Sequence, residues 1–126
     1  MTVGLASAQA TALLNLYRAT NITAPANVYL KLHTGDPGSA GTANASAVTT
    51  RNAITFSAPS SGSMALSSVG SFSMTTSETI SHVSIWDAST SGNFLQSAAL
   101  TASVPVINGS TLTFSTLTAS YSPLAA

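Results

Sequence analysis

Val28-Tyr29-Leu30-Lys31-Leu32-His33 sets Val28, Leu30 and Leu32 on one side of an extended chain and Tyr29, Lys31 and His33 on the other. That period of two is the pattern of a half-buried β-strand. Downstream the same period recurs between turn signals. Thr34-Gly35-Asp36-Pro37-Gly38, and on to Asn44, is rich in turn formers. Ala53-Ile54-Thr55-Phe56 starts a second strand, which Pro59-Ser60-Ser61-Gly62 ends. Met64 with Leu66, then Phe72 with Met74, alternate around Gly70. Val83-Ser84-Ile85-Trp86 reads as a central strand closed by the turn Asp87-Ala88-Ser89-Thr90-Ser91-Gly92, and Phe94 and Leu95 open the next. Val104, Val106 and Ile107 lead to the hairpin signal Asn108-Gly109, and Thr111-Leu112-Thr113-Phe114 returns. Seven or eight short strands with turns between them predict a mainly β chain, an antiparallel, jelly-roll-like β-sandwich. A parallel sheet is disfavoured because no helices remain downstream to serve as crossovers.

Upstream of Ala26 the period is 3.6. Leu13, Leu16 and Tyr17, extended by Ala10 and Thr20, make one apolar stripe. Arg18 lies where a cation complements the helix dipole, and Asn21 and Pro25 close the segment. The expectation is one N-terminal helix over 6–20. A helix that short is marginal alone and must pack on the rest of the chain or on a neighbouring copy. The 126 residues make one domain: helix 6–20, sandwich 27–118 and a C-terminal tail 119–126. The 34–50 stretch, rich in Gly, Ala, Ser and Thr, is expected to be its most flexible piece.

Charge is scarce. Arg18, Lys31 and Arg51 balance Asp36, Glu78 and Asp87 at net zero, and charged residues are 5% of the chain, against about 25% in ordinary domains. That composition excludes a nucleic-acid module, which neutralises phosphates with Lys and Arg, and a polybasic membrane-surface protein. Ser, Thr and Ala number 22, 18 and 21. A surface of hydroxyls with no net charge has nothing to keep copies apart, so a subunit of an assembly is expected. There is no cysteine, no apolar run near the ~20 residues of a membrane span, and no Lys/Arg-led apolar block of a secretory signal at the N-terminus. Synthesis in a cytoplasm is expected.

The inventory for proton transfer is His33, His82, Asp36, Glu78 and Asp87. His82 and Asp87, five apart on one strand, project to opposite faces. No serine sits in a G-x-S-x-G elbow, no zinc spacing occurs, and the Gly-Asp-Pro-Gly turn has one carboxylate where calcium loops use several. Catalytic residues, metal and cofactor are therefore expected to be none. Gly35, Asp36, Pro37 and Gly38 read as a structural turn: Asp36 caps its own backbone, Pro37 fixes φ and Gly38 takes a positive φ. Trp86 with Tyr17, Tyr29 and Tyr121 is a candidate sugar-stacking platform. Strict alternation puts Trp86 with His82 and Ser84, away from Val83 and Ile85. A core role is nonetheless favoured for Trp86, in a strand buried on both sides under the N-terminal helix.

Three motifs in order carry a resemblance. Leu32-His33-Thr34-Gly35-Asp36-Pro37-Gly38 resembles the opening of small tail-associated proteins of tailed bacteriophages, called short tail fibre or minor tail proteins. Arg51-Asn52-Ala53-Ile54-Thr55-Phe56 is similar to the strand that follows there. Ile85-Trp86-Asp87-Ala88 and Gly92-Asn93-Phe94-Leu95 match its next strand, turn and continuation, with Trp86 in place of Phe and Phe94 in place of Leu. The resemblance covers about 28–118. It implies a non-enzymatic structural part of the virion exterior, partnered by copies of itself (a homo-oligomer) and by other virion proteins, with no catalytic residue to carry over. These motifs do not separate tail from head, so capsid decoration is the alternative. A module recognising host cell-surface glycan through Trp86 and Tyr29 is a second alternative, and an enzyme on host wall polymer a third. The expected interaction surface is Leu13, Leu16, Tyr17, Tyr29 and Trp86.

Overall fold

A computed structural model describes residues 3–120. The chain has the mainly β, sandwich-like fold with one helix. Among the described residues, helix α1 (Ser7–Leu14) runs into a 3₁₀ turn (Asn15–Arg18) and is followed by eight strands: β1 (Val28–His33), β2 (Asn52–Phe56), β3 (Ser63–Val69), β4 (Phe72–Ser73), β5 (Glu78–Trp86), β6 (Phe94–Val106), β7 (Thr111–Leu112) and β8 (Thr118–Ser120). Six strands form a curled sheet in the order β6-β5-β1-β2-β3-β8, and β4 pairs with β7 in a small second sheet. Every pairing is antiparallel.

The alternation of β1 places the core. Leu30 and Leu32 are buried and lie opposite Ile85 and Val83 of β5. Phe72 and Leu112, paired across the small sheet, close over them together with Ile54, Met74, Ile80 and Val106. The edge of the Phe72 ring meets Phe114 at 6.2 Å between centroids, the T-shaped arrangement that aromatic quadrupoles favour. Burying these side chains is the main stabilising term, at roughly 1.5–3 kcal/mol for each large one.

The helix is shorter than expected: it is α-helical only to Leu14, tightens to 3₁₀ through Arg18 and stops at Ala19 with φ +55°. Ala6 at its N-cap offers no side-chain acceptor. No helical residue is buried, so tertiary packing adds little to a segment that cannot stand alone. The 3₁₀ winding, three residues per turn, also carries Leu16 and Tyr17 off the α-helical stripe. They stand 54% and 91% exposed. The chain just before the helix is the anchored part. Leu5 bridges Gln96, the Ala6 N–H donates to the Leu95 carbonyl and the Ser97 N–H to that of Gly4, both at 2.8 Å.

Two other expectations are corrected. The tail expected from 119 begins inside β8, where Ala119 and Ser120 pair with Met64 and Ser63; residues 121–126 lie outside the described residues. The 34–50 stretch, expected to be loose, is a tied loop. Its Thr34 N–H donates to Asn44, Ala43 to Pro37, Gly41 to Gly38 and Ser46 to Leu32, all at carbonyls. Pro37, Gly41, Ser46 and Val48 are buried. Composition registered the small polar residues but not the backbone bonds that they allow.

Candidate functional site

Because opposed residues in an antiparallel pair share a face, the pairs Tyr29↔Trp86, Lys31↔Ser84 and His33↔His82 build the outer face of the sheet, away from the core. The tied loop lies along one end of that face. His33 Nδ1 is 2.9 Å from the Ala43 carbonyl and Nε2 is 2.7 Å from Ser84 Oγ. Trp86 Nε1–H donates to the same Ser84 Oγ at 2.8 Å. His33 and Ser84 are fully buried, and Trp86 is 5% exposed.

Trp86 owes its burial to Arg51 and Phe94, not to the helix expected above it. The Arg51 guanidinium sits 3.8 Å from the indole centroid, a cation–π contact, and Phe94 packs at 5.6 Å on a tilted plane. Arg51 also donates to the carbonyls of Ala88 at 3.0 Å and Ser91 at 2.6 Å. One cation thus covers the indole and ties down the turn after β5. The opposite strand could not reveal this, since Arg51 and Trp86 are 35 positions apart. Asp87 finishes the turn by accepting from the backbone N–H and side-chain amide of Asn93. Those bonds, the backbone one first, hold its carboxyl below the ordinary carboxylate range.

In the Gly35–Gly38 turn, Asp36 Oδ1 accepts from the Gly38 N–H at 2.8 Å, Pro37 is buried, and Gly38 has φ +72°. The Asn44 side chain donates to the Asp36 carbonyl at 2.9 Å, so the turn is closed from both ends. Ser46 Oγ donates to Glu78, whose other oxygen accepts from the Ala47 N–H at 3.2 Å. All these acids hold loops. Among the described residues no three His, Asp or Glu side chains gather as a metal-ligand set. Ser84 and His33 have the spacing of a nucleophile and base, yet neither reaches solvent and Ser84 Oγ is already engaged by Trp86.

The residues read as an interaction surface separate into two groups. Trp86 is closed beneath Arg51 and half-buried Tyr29 lies opposite it on β1. Leu13 is half-buried on α1, whereas Leu16 and Tyr17 are in the open with Leu14, itself 64% exposed. Tyr121 lies outside the described residues. An apolar groove of about 320 Å³ runs beside the helix, lined by Leu5, Gln9, Val28, Phe56, Ile85 and Leu95 among others. Helix and groove therefore occupy one end of the molecule, where the N-terminal arm crosses β6. The arm was missed in the sequence because Gly4-Leu5-Ala6 is too short to show a period.

Residues 4–121 match a family model described as "Podophage GP4 fiber I protein gp80". None of the curated proteins matches the chain.

Proposed function

Since the chain belongs to the podophage GP4 fiber I protein gp80 family, and so to the structural fibre proteins of tailed bacteriophages, we propose that it is a non-enzymatic, tail-associated subunit on the virion exterior that assembles with copies of itself through its N-terminal end. The observation that carries this reading is the apolar trio Leu14, Leu16 and Tyr17, which projects from a helical segment that has no fully buried residue. Such a helix gains stability by docking. A second copy is the fitting occupant because six cancelling charges give copies no mutual repulsion. The helix and the groove at its side then act as one contact end of a single domain, and the Ser/Thr-rich β body faces outward.

Light scattering on the purified protein, with a Leu16→Ser/Tyr17→Ser variant beside it, tests the contact. The wild-type chain is expected to form oligomers and the variant to remain monomeric yet folded. A monomeric wild type, alone and in virion fragments, would sink the proposal. Negative-stain imaging with a labelled antibody against the chain separates the alternatives: label on the head makes it a decoration protein. A glycan-binding module would instead show cell or polysaccharide binding that a Tyr29→Ala variant loses.

A further inference from the structure

Both nitrogens of a fully buried imidazole are committed at His33. The Ala43 carbonyl only accepts, so Nδ1 carries the proton and donates to it. Nε2 is then an acceptor for the Ser84 hydroxyl, and Ser84 Oγ in turn accepts from the Trp86 indole, which only donates. One tautomer of the neutral ring satisfies every atom in this chain. A second proton, on Nε2, would meet Ser84 Oγ and leave the serine hydrogen without its acceptor.

We infer that the His33–Ser84–Trp86 chain is an acid-released latch: when His33 takes up a proton, the 34–50 loop detaches from the outer face of the sheet while the β body stays folded. The loop hangs on the ring through Ala43 and on its neighbours through Thr34 and Ser46, whose N–H groups bond Asn44 and Leu32. The side chains of Leu30, Leu32 and Val83 pack on the opposite face, in the core. Nothing charged compensates a proton on the ring. Lys31 on its own strand and His82 opposite on β5 both oppose it. The carboxylate of Asp36 turns to Gly38, that of Glu78 to Ser46 and Ala47, and neither bonds the imidazole. Arg51 lies on Trp86, at the far end of the chain of bonds.

Burial, first, and then Lys31 and His82 push the His33 ring below the ordinary histidine value, while the Ala43 and Asn44 carbonyls pull it partly back. A group with a depressed value in the closed state binds its proton preferentially in the open one. Acid therefore favours opening, beginning near pH 6.5 and continuing down to the lowered value. One proton changes the opening constant by at most about tenfold per pH unit in that window.

Hydrogen exchange between pH 7.5 and 5, corrected for the intrinsic rate, reads the latch directly. Opening at the Thr34, Ala43 and Ser46 amides is expected to increase toward tenfold per unit, with Leu30, Leu32 and Val83 unchanged. Fluorescence of Trp86, the only tryptophan, is expected to shift in the same window. A His33→Gln variant should flatten the response and His82→Gln should keep it. Flat loop exchange in the wild type, a response that survives His33→Gln, or one that disappears in His82→Gln overturns the inference. Should His33→Gln fail to fold, an NMR titration of the wild-type ring decides: titration below the ordinary value supports the latch, and titration at or above 6.5 overturns it.

Discussion

Asp36 and Trp86 show how much one side chain holds. The Asp36 carboxylate replaces a backbone partner within its own turn, and Asp36→Ala is expected to cost about 1 kcal/mol in chemical denaturation. Asp36→Asn keeps an acceptor and should lose less. A melting temperature that moves with calcium or EDTA, and stops moving in Asp36→Ala, would make the turn a metal site instead. Trp86 fills a site closed by Arg51 and Phe94, so Trp86→Ala should cost ~3–5 kcal/mol. Arg51→Ala should cost less, of the order of the ~0.5–2 kcal/mol of a cation–π contact together with its two carbonyl bonds. A folded, normally assembling Trp86→Ala protein that no longer adsorbs to cells would replace the structural role with a binding one.

At the scale of elements, the loop between β1 and β2 is seated by glycine. Gly41 has φ +70°, and a Cβ there would enter the Phe94 ring. Gly41→Ala therefore combines a left-handed backbone penalty with overpacking, roughly 2–4 kcal/mol together. Phe94→Leu in the same chain should recover part of that, a coupling that a double-mutant cycle measures; strictly additive losses would separate the loop from β6. The turn between β5 and β6 responds to acid with the sign of a depressed carboxylate. Asp87 contributes stability above the ordinary carboxylate range and loses it as pH falls through its lowered folded value. Asp87→Asn should thus be less stable than wild type at neutral pH, with the gap closing below about pH 4. A gap that is constant with pH would assign the loss to packing.

For the whole molecule, the scarcity of charge makes a prediction about association. If copies meet through Leu16 and Tyr17, added salt should leave the oligomer intact or strengthen it, because apolar contact is not screened. Dissociation at high salt, followed by sedimentation, would point to the six charges as the contact instead. The unequal layers fit that division of labour. Six strands and two enclose one core, and large apolar side chains are left exposed on the helical segment, at Leu14, Leu16 and Tyr17, and at Ile107 after β6.

How much of this was legible depended on the range of the interaction. The β class and the turn at Asp36 follow from neighbours within a few positions, where a period of two or a Gly-Asp-Pro-Gly spacing acts directly on the backbone, and the antiparallel pairing follows from the want of downstream helices to make crossovers. Leu30 and Leu32 had to face a core, whatever formed it. Period also put Trp86 beside Ser84, but not what would cover that face. Arg51 on the indole, Ala43 and Ser84 on His33, and Glu78 on Ser46 join residues 10 to 51 positions apart. No local pattern encodes such meetings. The helix shows the same limit from the other side: its stripe and its marginal length were written in residues 6–20, whereas its exposure was decided only by where the N-terminal arm, tied to β6, set it down.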